Sequence, residues 1–317
     1  MELILEFERP VVELRRRIEG LRQLQSERHV DLSASIGELE QQADRLQARI
    51  FDSLSPWQRT QLSRHPGRPY TLDFVAGWIS QWTELAGDRA GHDDQAIVGG
   101  LGWMGGRRVM LIGHQKGRTT RENVTRNFGM ALPDGYRKAL RLMMLADRFG
   151  IPIVTLIDTP GAFPGIDAEA RGQAEAIARN ILEMSTLRVP VVCCVIGEGG
   201  SGGALALGVG NRILMLEHSV YSVISPEGCA AILWHDRAEA GRAAEALKLT
   251  APDCLQMGIA DEVVPEPMGG AHKDPKAAVA ALGDAVARHL GELEAMDPDE
   301  LRRHRYARFR KLGAISG

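Results

Sequence analysis

Residues 189–210, VPVVCCVIGEGGSGGALALGVG, constrain this chain more than any other stretch. The run begins apolar and β-branched, the pattern of a short strand buried on both faces. Gly197, Gly199, Gly200, Gly202 and Gly203 follow, and without a Cβ the backbone can turn sharply there. Ala204, Leu205, Ala206 and Leu207 then predict a helix. The first N–H groups of a helix have no partner within it, and its dipole adds a positive field. A strand that passes into a helix through such a turn can hold negative charge with backbone alone.

Several readings compete for this turn. Residues 197–202 fit G-x-G-x-x-G, a dinucleotide fingerprint, with Glu217 placed where a ribose-binding acid would stand. Residues 199–203 fit G-x-S-x-G, a nucleophile elbow with Ser201 as nucleophile. The third reading is a bare oxyanion hole of peptide N–H groups. The fourth is that the glycines serve only close helix–strand packing. A Rossmann fingerprint belongs to the first strand of its domain, and here a hairpin and a βα unit precede it. A hydrolase needs an acid and a histidine further on. His218, His235, His272 and His289 exist, but none follows an obvious strand end. The oxyanion reading asks for no further side chain.

A net charge of −3 over 317 residues implies no general affinity for nucleic acid. No apolar run reaches membrane-spanning length, and the acidic start MELILEFERP does not read as a signal peptide. Cys193 and Cys194 are neighbours on a strand and face opposite sides, while Cys229 and Cys254 stand alone. No zinc site is expected from this chain alone, and reduced thiols in a cytoplasmic protein are expected.

Three regions follow from the pattern. Residues 1–54 predict a helical hairpin: Leu14, Ile18 and Leu21 form one stripe, and Ile36, Leu39, Ala43, Leu46 and Ile50 form a coiled-coil seam. Its loop falls at 29–33, and Ser35 with Glu38 reads as a capping box. Residues 55–295 form an α/β domain. There, Ser55-Pro56 opens a helix, and Thr71 caps another that carries Phe74, Trp78, Trp82 and Leu85. Two strands over 96–103 and 108–113 make a hairpin about Gly105-Gly106. The basic run 114–126 offers Lys116, Arg118, Arg121 and Arg126, either as a grip for coenzyme A phosphates or as a solvated loop. A strand over 151–157 ends in Asp158-Thr159-Pro160-Gly161, a good substrate wall, and a helix over 168–184 follows it. Ser225-Pro226-Glu227-Gly228 starts a helix, with Glu227 either a base or, more in keeping with its place, a dipole partner. His272 is a weaker catalytic candidate beside a glycine loop. Residues 296–317 predict a basic C-terminal helix with a solvated face.

The runs RPYTLDF (68–74), ELAGDRA (84–90), IGHQKGR (112–118), NFGM (127–130), GYRKALRLM (135–143), IDTPGAFPG (157–165), RGQAEAIARN (171–180), VIGEGGSGGALALGVG (195–210) and YSVISPEGCAAILW (221–234) carry a resemblance. Through them the chain resembles the family of bacterial acetyl-coenzyme A carboxylase carboxyltransferase α subunits, over nearly its whole length. The resemblance implies a crotonase-like superhelix of β-β-α units behind the N-terminal hairpin. It implies carboxyl transfer from carboxybiotin, carried on a biotin carboxyl carrier protein, to acetyl-CoA, forming malonyl-CoA for fatty acid synthesis. It also implies a zinc-containing β subunit in an α2β2 assembly, served by a biotin carboxylase. Gly202 and Gly203 are then expected to supply the backbone oxyanion hole for the biotin ureido oxygen. Gly199, Gly200, Ser201, Ala204, Pro160, Gly161, Ser225, Pro226 and Gly228 are expected to shape the pocket. The base would be the cofactor's own, so the chain needs no catalytic dyad. A serine hydrolase using Ser201 is the alternative.

Overall fold

The structure, a computed structural model, describes residues 3–28 and 30–313. The loop residue His29 and the chain ends assigned above to the arm and the basic tail (1–2 and 314–317) lie outside these. Helices α1 (Arg9–Arg28) and α2 (Ser33–Asp52) pack on each other through Ile18, Ile36 and Ala43, with Leu14, Leu21 and Leu39 around them. Helix α2 starts before the capping box expected at Ser35, because the Asp31 carboxylate accepts the Ser33 N–H at 3.0 Å.

Helix α3 (Pro56–Ser63) opens as expected, with the Ser55 hydroxyl accepting from the Gln58 N–H. Helix α4 (Thr71–Trp78) is shorter than expected, and Trp82 lies on a strand, β1 (Ser80–Glu84), with Leu85 just past it. Thr71 does not cap α4. Its hydroxyl donates to the His114 carbonyl at 2.5 Å and ties the helix to the sheet, while Asp73 takes the Tyr70 N–H. Strands β2 (Ile97–Met104) and β3 (Arg107–His114) form the expected hairpin. Gly105 and Gly106 turn it with φ of +55° and +81°, values that β-carbon residues avoid.

Next come α5 (Thr120–Thr125), α6 (Pro133–Arg148) and β4 (Ile153–Thr159). The single helix expected over 168–184 is two, α7 (Ile166–Ala170) and α8 (Gln173–Thr186), because Gly172 takes φ +83° between them. Strand β5 (Val191–Gly200) leads into α9 (Ser201–Leu205), β6 (Arg212–Leu216), β7 (Val220–Ser222) and α10 (Pro226–Trp234). The chain ends with α11 (Ala240–Leu247), α12 (Ala251–Gln256), β8 (Glu262–Val264), α13 (Pro275–Leu293) and α14 (Pro298–Lys311).

The strands make one eight-stranded sheet in the order β1-β2-β3-β4-β5-β6-β8, with β7 paired to the far end of β5. Its first two pairings are antiparallel and the rest are parallel. Alternate residues of β5 serve two cores. Cys193 packs with Leu142, Met143 and Met184 under α6 and α8, and Cys194 with Phe74, Leu282 and Val286 under α4 and α13. The C-terminal helix is not simply a solvated basic face. Arg305 is fully buried and donates to the carbonyls of Met184, Leu187 and Val189 and to Asn211 Oδ1.

Candidate active site

Strand β5 runs through three of the five glycines expected to form the turn, and the helix begins at Ser201 rather than at Ala204. The β4–β5 register shows why the strand bends. Ile157 faces Val195, but Thr159 faces Gly199, so β5 bulges between those pairs. Beyond the bulge, Glu198, Gly199 and Gly200 pair with Val220, Tyr221 and Ser222 of β7 where the earlier part of β5 pairs with β6. Ser201 then turns the chain at φ +54°, a strained value for a residue with a side chain.

The glycines do not all serve one purpose. A Cβ on Gly200 would lie 2.1 Å from the Pro160 carbonyl oxygen. One on Gly203 would lie 2.5 Å from the Ala162 nitrogen and 2.8 Å from the Tyr136 hydroxyl. These two permit the loop after β4 to rest on the turn after β5. Gly202 is different: a Cβ there would meet nothing nearer than Ile177 Cγ2 at 3.6 Å. The packing reading therefore accounts for Gly200 and Gly203, and leaves Gly202 unexplained.

Pro160, Gly199, Gly200, Ser225 and Pro226 come together around one narrow cleft, with Arg64 and Glu198 also in its wall. Ser201 is exposed beside it, Gly202 half-buried, and Gly203 and Ala204 buried. The N–H groups of two residues expected to shape the pocket are already engaged. The Gly161 N–H goes to Thr159 Oγ1 at 3.1 Å, and the Gly228 N–H to Ser225 Oγ at 3.1 Å. The first turn of α9 has no side-chain cap, so its amides are the donors that remain.

Behind the turn lies a chain of alternating charge that the sequence reading missed. Lys116 Nζ sits 2.7 Å from Asp158 Oδ1 and 2.9 Å from Glu198 Oε1. Arg64 Nε donates to Glu198 Oε2 at 2.7 Å, and its NH1 to Glu227 Oε1 at 2.5 Å. Burial works against charge on Lys116, but Asp158 and Glu198 outweigh it and raise its pKa. Burial likewise opposes charge on Glu198, yet Lys116 and Arg64 hold its pKa below the ordinary value. For Asp158 burial wins and the pKa rises. Burial also pushes His114 down to about 3, helped by the positive charge of Lys116. Glu227 is the structural partner of Arg64, which holds its pKa low against burial and disarms it as a base at neutral pH.

The phosphate grip expected of the 114–126 run does not form as a set. Lys116 faces inward to two carboxylates. Arg118 pairs with Asp73, donates to the Pro66 and Arg68 carbonyls and stacks over Tyr70 at 3.9 Å. Arg126 donates to the Gln95 carbonyl at 2.7 Å. Arg121 stays exposed.

The competing readings fare poorly. Helix α9 spans only five residues, and the Glu217 carboxylate accepts the Glu266 N–H at 3.0 Å instead of facing the turn. Ser201 has the strand–turn–helix setting of an elbow, but among the described residues no histidine hydrogen-bonds it: His218, His272 and His289 are engaged by Arg59, Glu8 and Glu262, and His235 lies exposed at the end of α10. His272 belongs to a different cluster. The potential ligand atoms of Glu8, His65 and His272 lie within 4.8 Å of one another. That cluster does not fit a metal, because His65 Nδ1 already accepts the Gly67 N–H and His65 Nε2 bonds the Leu3 carbonyl.

Residues 4–313 match the family model described as acetyl co-enzyme A carboxylase carboxyltransferase-like. The acetyl-coenzyme A carboxylase carboxyl transferase subunit alpha of Synechococcus elongatus is 56% identical over 313 residues, covering 99% of this chain and 96% of the relative. Its Thermus thermophilus counterpart is also 56% identical, over 98% of this chain and 99% of its own length. Among solved structures, the transcarboxylase 12S core superimposes with a TM-score of 0.59 at 21% identity, over 72% of this chain and 42% of that one. The latter likeness speaks for the fold, a crotonase-like carboxyltransferase domain. With the family model matched over residues 4–313 and relatives 56% identical over 98–99% of its length, the chain belongs to the acetyl-coenzyme A carboxylase carboxyltransferase family.

Proposed function

We propose that this chain is the α subunit of a biotin-dependent acetyl-CoA carboxylase, working in the cytoplasm as an α2β2 assembly with a zinc-containing β subunit. Carboxybiotin, delivered by a separate carrier protein and recharged by a biotin carboxylase, supplies the carboxyl group that converts acetyl-CoA to malonyl-CoA. This chain's part is to hold negative charge. The first-turn amides of α9, from Gly202 and Gly203, donate to the oxygen of the biotin ureido group, while Pro160 and Ser225-Pro226 wall the cleft. Gly202 is half-buried where Gly203 is buried, which makes it the donor better placed to meet a ligand. One such hole is typically worth about 3 kcal/mol of barrier. No titratable side chain of the turn has to act as a base, which agrees with Glu227 and Glu198 both being tied to Arg64.

The observation that carries this reading is the uncapped first turn of α9 beside a cleft, in a chain more than half identical to named α subunits. The test is malonyl-CoA formation from carboxybiotin and acetyl-CoA, with the purified chain alone, with a purified β subunit, and with the β subunit alone. Activity should need both chains. Equal turnover by the β subunit alone would remove this chain from the chemistry.

A further inference from the structure

We infer that Lys116 is the positioning residue of the glycine turn: its ammonium ties Asp158 to Glu198 across the β4–β5 bulge and so fixes both loops that form the cleft. The inference rests on the function proposed above.

The bulge is where a sheet loses its regular bonds, and something must replace them. Asp158 Oδ1 does so twice, accepting the Glu198 N–H at 3.1 Å and the Lys116 ammonium at 2.7 Å. Asp158 stands just before Pro160, whose carbonyl rests on Gly200, and Glu198 just before Gly200 itself. One cation therefore holds the two strand ends whose loops touch. Through Glu198 and Arg64 the chain of charge continues to Glu227 in the first turn of α10, another wall of the cleft. The lysine stem has little freedom. Gly129, at φ +80°, packs on it so closely that a Cβ would lie 3.0 Å from both Lys116 Cγ and the Asp158 carbonyl oxygen. Buried ion pairs often add little net stability over apolar side chains of the same size. What distinguishes Lys116 is the geometry it holds.

Lys116→Met would leave Asp158 without a cation beside Glu198, which keeps Arg64. A buried carboxyl next to a charged one does not ionise readily, so Asp158 would hold its proton at low pH and be driven from Glu198 as the pH rises. The other charged or titratable groups around the pair are Arg64 at the end of α3, Glu227 on α10, Tyr70 and Arg118 beside α4, and His114 at the end of β3.

The experiment uses the assembled α–β complex with carboxybiotin and acetyl-CoA, with kcat and KM followed from pH 6 to 9. In Lys116→Met, kcat should fall about 30-fold at pH 8 with KM changed less than about threefold, the signature of a lost transition-state interaction. The deficit should shrink toward the acid end of that range, where Asp158 takes up its proton. Lys116→Met with Asp158→Asn removes the like-charge contact and should flatten that pH limb, recovering roughly tenfold in kcat. Wild-type kcat and pH profile in Lys116→Met would overturn the inference. So would a pH-independent loss that tracks loss of folded complex in thermal melts. If Lys116→Met does not assemble, Glu198→Gln decides: roughly tenfold lower kcat in a folded complex supports the role, and wild-type kcat overturns it. An inactive wild-type complex would overturn the proposed function and this inference together; an active one beside an unperturbed Lys116→Met overturns this inference alone.

Discussion

The two ends of β5 are each pinned by a buried cation, and they are pinned differently. At the start, Arg305 spreads its guanidinium over three backbone carbonyls and one amide oxygen. At the far end, Lys116 bridges two carboxylates. Backbone carbonyls do not titrate, so the Arg305 clamp is set once the chain has folded. Burial lowers the Arg305 pKa to about 10, which still leaves it charged at neutral pH. Carboxylates do titrate, and they stand where the sheet is irregular and a cleft opens. Between the two, Arg68 holds the Ile196 carbonyl at 2.9 Å and pairs with Glu266 in full burial. One strand thus passes from a fixed anchor to an adjustable one as it approaches the candidate site. Anchors of the first kind should govern stability, and those of the second kind turnover.

Arg305→Met is the strongest way to break that distinction. It would leave the Met184, Leu187 and Val189 carbonyls without the guanidinium and Asn211 Oδ1 with only the Val191 N–H, at a cost of about 4 kcal/mol. Urea unfolding should show that loss, while kcat per folded complex should stay within about twofold of wild type, since α14 touches nothing in the cleft. A large fall in kcat at unchanged stability would mean that the two ends of β5 are not separable.

Acid tests the middle anchor. Burial would raise the Glu266 pKa, but Arg68 overrides it and holds the carboxyl at about 2, against an ordinary 4.5. A depressed folded pKa gives stability that is complete above the ordinary value and lost as pH falls through the folded one. Glu266 should therefore contribute about 3 kcal/mol at pH 6 that is gone near pH 2. Asp158 has the opposite sign: its raised pKa means that acid favours its folded form. The check is urea unfolding of wild type and Glu266→Gln at both pH values. The gap between them should close by about 3 kcal/mol on acidification.

Much of this could be read in the sequence, for identifiable reasons. The hairpin about Gly105-Gly106 and the opposed faces of Cys193 and Cys194 follow from turn chemistry and a period of two, both local. The errors arose where tertiary contacts decided. Thr71 looked like a cap, but its hydroxyl is claimed by the His114 carbonyl, 43 residues away in sequence. The helix expected through Gly172 is interrupted by a left-handed residue that alanine-rich neighbours concealed. Around the site, the glycine cluster announced the turn, but not which glycine packs and which faces space. The Lys116 bridge was hidden because its partners come from β4 and β5, and the basic neighbours Arg118, Arg121 and Arg126 suggested a shared surface role.

Gly203 and Gly202 sharpen the comparison within the turn itself. Gly203→Val would drive a side chain into the Ala162 nitrogen at 2.5 Å and the Gly161 carbonyl carbon at 2.6 Å, backbone atoms that cannot swing aside. The Pro160–Ala162 wall should shift and malonyl-CoA formation should fall at least about 100-fold. Gly202→Ala adds a methyl in ordinary contact with Ile177 and should leave the melting temperature unchanged, so any loss of turnover it causes reports the turn itself rather than unfolding. Equal damage from both would mean that the turn tolerates no side chain for folding reasons, and the assignment of Gly202 as the exposed donor would lose its support.

The smallest expected effect is at Ser201. Its side chain is exposed and its backbone strained at φ +54°, the two features that make an elbow serine look like a nucleophile. Among the described residues no histidine hydrogen-bonds its hydroxyl, and Ser201→Ala leaves the amides of the turn in place. Ser201→Ala keeps the N–H and removes the Oγ, so carboxyl transfer should fall by no more than about threefold. Ser201→Gly should relieve the left-handed strain and raise stability by roughly 0.5–1 kcal/mol, seen as a modest rise in melting temperature. A loss of several hundredfold in Ser201→Ala, with the complex intact, would show that a side chain rather than the main chain carries the chemistry at this end of β5.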